Sequence, residues 1–321
     1  MSFALAITGP TASGKTALSL WLAKLLDCEI ISCDSMQIYR GMDIGTAKAT
    51  PQEREVCVHH MLDIIDPCES YSTENYRDDA MRVSADIESR GKTPLFVGGT
   101  GLYIDTVMRG GELLSPPSSD ELRQRLLSSV ITEEDKTALW ERLRDIDPES
   151  AEKIHKNNVR RVARAIEIYE LTGKTKTYFD ELSRQSSPDL TVGMITLDFH
   201  NRETLYERVD MRVEQMMREG LLEEVRSLYE GGLLLPDTTA AQAIGYKEII
   251  SYLDGEISLD DAVELIKLST RRYAKRQLTW FRHNTAAMRL YIDRENGELK
   301  ETSELKTEIL EMAKMLMKGK K

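Results

Sequence analysis

Gly9-Pro10-Thr11-Ala12-Ser13-Gly14-Lys15-Thr16 fits G-x-x-x-x-G-K-[ST], between an apolar run from Phe3 to Ile7 and a stretch in which Leu18, Leu22, Leu25 and Leu26 recur at helical spacing. The pattern predicts a buried strand, a phosphate-cradling loop and a helix. In such a loop, successive backbone N–H groups and a helix N-terminus converge on an anion. Lys15 adds a point charge, and the Thr16 hydroxyl suits magnesium. The loop by itself leaves open which phosphate compound sits there and whether it is hydrolysed, transferred or displaced.

Outward from the loop, strand-like runs recur at Glu29 to Cys33, Thr93 to Val97, Gly193 to Phe199 and Met288 to Ile292, separated by helical stretches. This alternation predicts an α/β protein: a P-loop parallel sheet core flanked by helices. It breaks between Leu114 and Leu190, a region opened by Ser115-Pro116-Pro117-Ser118-Ser119 and closed by Ser183-Arg184-Gln185-Ser186-Ser187-Pro188. Everything between reads as helix: Glu121 to Leu127, Thr132 to Leu143 with Thr132 as N-cap, a start at Asp147-Pro148, and Asn158 to Leu171 stopped at Gly173. We therefore expect residues 1–113 and 191–321 to build the core and residues 114–190 to form an all-helical insertion domain. Ser303 to Met317 reads as an amphipathic packing helix.

The 321 residues are 41% hydrophobic and 30% charged, enough for a large buried core. The longest apolar runs fall far short of a membrane span, and no basic segment precedes a signal-like apolar stretch. A cytoplasmic protein with no membrane partner is expected, acting as a monomer. Its four cysteines, Cys28, Cys33, Cys57 and Cys68, are expected to be free thiols. Cys57, His59, His60 and Cys68 cluster, but their spacing matches no structural zinc pattern. Paired thiols and imidazoles with local hydrogen bonds are the plainer account.

Net charge is −11, which alone argues against a polyanionic partner. Its distribution argues otherwise. Leu265 to Ile292 contains no acidic residue, yet carries Lys267, Arg271, Arg272, Lys275, Arg276, Arg282 and Arg289 interleaved with Tyr273, Trp280 and Phe281. Such a segment suits a phosphate backbone or stacked bases, or else a solvated helix face with its aromatics turned inward. A second basic cluster, from His155 to Arg164, tips the balance toward nucleic acid.

Asp34 follows the second strand and so emerges at the carboxyl edge of the sheet, where open α/β folds bind ligands. The third strand runs into Gly98-Gly99-Thr100-Gly101 with no acidic residue at its end, which counts against a metal-assisted NTPase. With these segments in place, the chain closely resembles the bacterial-type tRNA dimethylallyltransferases. The resemblance is carried by GPTASGKT, DSMQIY (Asp34 to Tyr39), GMDIGTAK (Gly41 to Lys48), HHMLDI (His59 to Ile64), GGTGLY, VRRVARAIEIYELTG (Val159 to Gly173), QAIGYKE (Gln242 to Glu248) and RRYAKRQLTWFR (Arg271 to Arg282). These blocks span almost the whole chain in the family's order. The eukaryotic relatives add a C-terminal zinc finger, and no Cys follows Cys68 here.

The resemblance implies transfer of a dimethylallyl group from dimethylallyl diphosphate to the exocyclic N6 amine of the adenosine 3′-adjacent to the anticodon, in the anticodon arm of tRNA. Asp34 would be the general base, with Thr100 orienting the base or the diphosphate. Lys15, Thr16, Mg2+ held by Thr16, and the backbone N–H groups of Thr11 to Gly14 would neutralise the diphosphate. Arg212, which matches the family's R-x-x-x-M pattern, would reach it too. Residues on the tRNA side would be Asp34, Ser35, Met36 and Gln37 near an everted base; Arg160, Arg161, Val162, Ala163 and Arg164 in the insertion; Gln242, Ala243, Ile244, Gly245, Tyr246 and Lys247; and Arg271, Arg272, Lys275, Arg276, Gln277, Trp280 and Arg282. Three other readings compete: a P-loop small-molecule kinase, a prenyltransferase acting on free adenine nucleotides, and an RNA-binding protein that keeps the loop for structure.

Overall fold

The computed structural model describes residues 2–108, 116–185 and 190–319. Six parallel strands, β1 (Ser2–Thr8), β2 (Cys28–Ser32), β3 (His59–His60), β4 (Thr93–Gly98), β5 (Leu190–Asp198) and β6 (Met288–Tyr291), form one sheet in the order β3-β2-β4-β1-β5-β6. Every strand pairing is parallel, so each connection crosses over and the loops that leave the strands collect along one edge. The phosphate loop, the Asp34 loop and the double-glycine loop follow β1, β2 and β4 on that edge.

β1 lies in the middle and is apolar on both faces. Phe3, Leu5 and Ile7 pack into one cluster with Leu18, Leu22, Ile195 and Ile309, whereas Ala4 and Ala6 join Ile31, Phe96, Tyr103 and Met194 on the other side. A strand buried from both sides must read as a continuous apolar run, as this one does. Helices α1 (Lys15–Leu26), α2 (Pro51–Val56), α3 (Thr73–Ser89) and α4 (Gly101–Met108) follow the first strands. The two-residue edge strand β3 is not anticipated by the sequence pattern. It exists through register pairing with β2, Ile30 opposite His59 and Ile31 opposite His60.

Two compact units are present, Met1–Met108 with Leu190–Lys321 and, separately, Arg109–Asp189. The second contains α5 (Asp120–Ser128), α6 (Glu133–Ile146), α7 (Pro148–Lys153), α8 (Val159–Thr172) and α9 (Lys176–Gln185) around Leu126, Leu139, Leu143, Val162 and Ile166. Thr132 caps α6 in a capping box, Asp147 caps α7, and Gly173 ends α8 at φ 67. The boundary expected between residues 113 and 114 lies outside the described residues, as do Ser115 and Ser186 to Pro188. Leu190, expected to close the insertion, is the first residue of β5. In the larger unit, α10 (Arg202–Glu219), α11 (Leu221–Glu230), α12 (Tyr246–Leu253) and α13 (Leu259–Arg282) build a further apolar cluster beside Ile38, Tyr39 and Met42, and α14 (Thr302–Lys318) packs against α1 and β5.

Candidate active site

The phosphate loop is shaped by close backbone contact. Gly9 has φ 142, and a Cβ there would meet the Leu197 carbonyl of β5 at 2.7 Å. Gly14, at φ 87, starts α1 without a side-chain cap, so that helix end has no internal side chain to satisfy it. The loop borders a cavity of about 530 Å³ whose wall also includes Asp34 to Gln37, Gly99, Arg212, Gln242 to Tyr246, Tyr273 and Arg276.

Cationic groups dominate the phosphate end. Lys15 Nζ donates to the Gly9 and Pro10 carbonyls at 3.0 and 2.7 Å. Burial, reinforced by the charge of Arg212 and opposed by that of Asp34, lowers its pKa to about 7. Arg212 Nε and Ser13 Oγ are buried without any hydrogen-bond partner. A guanidinium group withdrawn from water with an unmet donor is costly unless an anion completes it. One helical turn earlier on α10, Arg208 Nε donates to the Ala12 carbonyl at 2.8 Å and so props the loop itself. The sequence reading assigned Arg208 no role, although its i, i+4 relation to Arg212 is a usable signal.

Asp34 stands in the same cavity. Its Oδ1 accepts the Met36 N–H at 2.9 Å. Burial raises its pKa above the usual carboxylate range, against the opposing pull of the Met36 and Gln37 N–H groups and the charges of Lys15 and Arg212. A carboxylate so placed is a stronger base than one in water.

Thr100 adjoins the cavity through Gly99, and its Oγ1 accepts the Ser35 N–H at 3.1 Å, so the hydroxyl braces the loop that carries Asp34. Gln37 is likewise a brace as well as wall, with Nε2 donating to the Thr46 and Ala47 carbonyls and Oε1 accepting from Ser32. That second loop is clamped from α11. Glu224 accepts the N–H groups of Asp43, Ile44 and Gly45, and the Tyr246 hydroxyl, at 2.6 to 3.1 Å. Nothing local in the sequence marks Glu224, since the backbone groups it accepts from lie about 180 residues away and Tyr246 lies 22 away.

The basic segment divides by helical face. Ile266, Thr270, Tyr273 and Gln277 turn into the cavity from α13. Arg272, Lys275 and Arg276 are exposed, Arg276 lies over the Tyr273 ring at 5.6 Å, and Trp280 is 40% exposed. Arg271 and Arg282 do not belong to that outer stripe. Arg271 pairs with Asp210 at 2.6 Å, and Arg282 pairs with the buried Asp198 at 2.6 Å. Among the QAIGYKE residues, Gln242 and Lys247 are exposed, whereas Ala243 and Tyr246 are buried in the wall.

In the helical unit, Arg160 and Arg161 are exposed in the first turn of α8. Val162 and Ala163, expected on the tRNA side, are instead fully buried in the unit's core, because they fall on the apolar face of the helix. Arg164 also turns inward, donating to the Pro116 and Pro117 carbonyls and pairing with the buried Glu167. Of the three arginines expected on the tRNA side of the insertion, Arg160 and Arg161 are the exposed pair.

Among the described residues, no group of three His, Cys, Asp or Glu side chains is arranged to hold a metal ion, and no helix is long and apolar enough to cross a membrane. Cys57 Sγ donates to the Cys28 carbonyl, and His60 Nε2 lies 2.8 Å from Glu29.

A family model for IPP transferase matches residues 37–284, and one for isopentenyl transferase matches residues 3–63. The tRNA dimethylallyltransferase of Geobacillus thermodenitrificans is 50% identical over 278 residues, 86% of each chain. That of a Thermoanaerobacter species is 43% identical over 305 residues, 95% of each chain. Of the solved structures, the full-length tRNA isopentenylpyrophosphate transferase from Bacillus halodurans superposes with a TM-score of 0.72 at 40% identity, covering 99% of this chain and 97% of that one. A eukaryotic dimethylallyltransferase acting on tRNA gives a TM-score of 0.76 at 31% identity, covering 91% of this chain and 74% of the other.

Proposed function

The chain belongs to the IPP transferase family, among relatives named tRNA dimethylallyltransferases, and from that footing we propose that it transfers the dimethylallyl group of dimethylallyl diphosphate to N6 of the adenosine 3′-adjacent to the anticodon in tRNA, releasing diphosphate. It would do so in the cytoplasm as a monomer. The observation that carries this reading is the pairing, within one cavity, of a phosphate loop and Arg212, whose buried Nε has no hydrogen-bond partner, with the desolvated carboxylate of Asp34.

Lys15, Arg212 and the Ser13 hydroxyl would bind the diphosphate. Their positive charge matters most as the carbon–oxygen bond breaks, because negative charge then accumulates on the leaving group. Asp34 would take the proton from N6 as the amine attacks, which is needed because the amine lone pair is delocalised into the adenine ring. The everted adenine would lie against the walls supplied by Ser35, Met36 and Gln242 to Tyr246, and the outer stripe of α13 with Arg160 and Arg161 of α8 would meet the RNA backbone. Magnesium fits this donor set in one way: Thr16 offers a cavity-lining hydroxyl, and among the described residues no carboxylate cluster competes for the ion. Held there, the ion would supply further neutralisation of the diphosphate. A kinase reading gains no support from β4, which ends at Gly98 without an acidic residue.

Incubation with bulk tRNA and dimethylallyl diphosphate, followed by mass analysis of the digested nucleosides, tests the proposal. A dimethylallyl-adenosine is the expected product. Its absence, or phosphate transfer from ATP to a nucleoside instead, would overturn the assignment.

A further inference from the structure

Gln277 is only 5% exposed, and both ends of its amide are committed. Oε1 accepts the Thr11 N–H at 2.9 Å, and Nε2 donates to the Gly99 carbonyl at 2.9 Å. The partners dictate this orientation, since one offers only a donor and the other only an acceptor. A Cβ on Gly99 would lie 2.1 Å from Nε2, so the glycine is what admits the amide. Thr100, the residue after Gly99, accepts the Ser35 N–H through Oγ1 at 3.1 Å and donates its own N–H to the Cys33 carbonyl, so the Gly99 loop is tied on to the loop that carries Asp34. Gln277 on α13 thus bonds the loops that follow β1 and β4, and the latter holds the loop that follows β2.

We infer that Gln277 is a positioning residue: from the cavity wall, its amide holds the phosphate loop in register with the loop carrying Asp34. This rests on the dimethylallyl-transfer reading. A displacement needs the leaving diphosphate, the allylic carbon and the amine nitrogen in line, and a misplacement of about 1 Å costs on the order of 10²-fold in rate. The same geometry changes two expectations. The Thr11 N–H is occupied by Gln277, so the anion is met by the loop from Ala12 onward, and Gln277 acts inside the protein instead of on tRNA.

Two variants test the assignment. Gln277→Met removes both hydrogen bonds at similar volume. Gln277→Glu keeps the shape, but its carboxyl group can accept from Thr11 and donate to Gly99 together only when protonated. Single-turnover rates at saturating tRNA and dimethylallyl diphosphate, tRNA affinity at fixed salt, and thermal unfolding are measured for each. The expected result is a rate lowered about 10-fold or more in Gln277→Met with tRNA affinity unchanged within about twofold. For Gln277→Glu, the rate relative to the unaltered protein should recover as pH falls from about 8 to about 6, where a buried carboxyl group regains its proton. Loss of tRNA affinity in step with rate would show that the amide reads RNA directly and overturn the inference. So would an unchanged rate accompanied only by a lower melting temperature. If Gln277→Met does not fold, the pH series decides, and a flat ratio overturns the assignment. An unaltered protein that makes no dimethylallyl-adenosine overturns the transfer reading itself, whereas an active protein with indifferent variants overturns the role of Gln277 alone.

Discussion

Asp34 and Arg212 are both withdrawn from water within one cavity, and each responds to burial in the opposite chemical sense. Desolvation raises the pKa of Asp34 and lowers that of Arg212. A general base works only when ionised, so turnover should fall as pH drops through a value above the usual carboxylate range, and Asp34→Asn should abolish that limb. The same variant should lose about 10²–10⁴-fold in single-turnover rate with tRNA affinity retained; a near-normal rate would remove Asp34 from the chemistry. Arg212 carries an unmet buried donor, so Arg212→Met should relieve a desolvation cost. Stability should rise by on the order of 1 kcal/mol while the Michaelis constant for dimethylallyl diphosphate increases. Thermal unfolding beside steady-state kinetics reads both signs, and a destabilised variant with unchanged kinetics would contradict the placement. Asp34 and the phosphate loop were legible in the sequence because each follows a strand with a strong local pattern. Arg208, Glu224 and the inward turn of Gln277 were not, because their partners come from segments joined only by the sheet.

Single elements separate stability from catalysis. Glu29, near the amino-terminal end of β2 and away from the ligand loops, is buried and pairs with Arg90, His60 and Lys92. Its hydrogen bonds to Arg90 chiefly, opposed by burial and helped by His60 and Lys92, lower its pKa to about 2. A carboxylate whose folded pKa is depressed stabilises the fold above its unfolded value, and that contribution fades as pH falls from about 4.5 toward 2. Glu29→Gln should therefore cost about 3 kcal/mol at neutral pH, and the gap to the unaltered protein should close on acidification, with activity preserved. A pH-independent gap in denaturant unfolding would assign the loss to packing. The helix ends at Thr132, Asp147 and Gly173 were readable from cap chemistry alone, since those signals are local. Strand β3 was not, because two residues carry no periodicity and pairing with Ile30 and Ile31 makes them a strand. The same limit misassigned Val162, Ala163 and Arg164, where a basic run hid which face of α8 is apolar.

Across the whole molecule, positive charge stands out in two places on a chain of net charge −11: Arg160 and Arg161 in the helical unit, and Arg272, Lys275 and Arg276 on α13. If both meet one RNA, replacing each set by Ala should weaken tRNA binding additively in log affinity and make the salt dependence shallower, by somewhat under one unit of slope per lost phosphate contact. Arg164→Ala is the internal control. It should lower the stability of the helical unit without changing the slope, since its guanidinium serves Glu167 and two backbone carbonyls. Parallel salt plots for the Arg160/Arg161 variant would remove α8 from the interface.

The pairing of β1 with β5 has a consequence for biosynthesis. Ser2 to Thr8 align with Leu190 to Thr196, and Gly9 is seated against Leu197. During translation the motif-bearing strand waits with one edge unpaired while the whole helical unit is made. That unit is contiguous in sequence and can fold from local contacts, whereas long-range parallel pairing is slow. The phosphate loop, synthesised before the helical unit, therefore takes its final shape only after that unit is made, and an open apolar strand edge is what a nascent chain of this design must keep from aggregating.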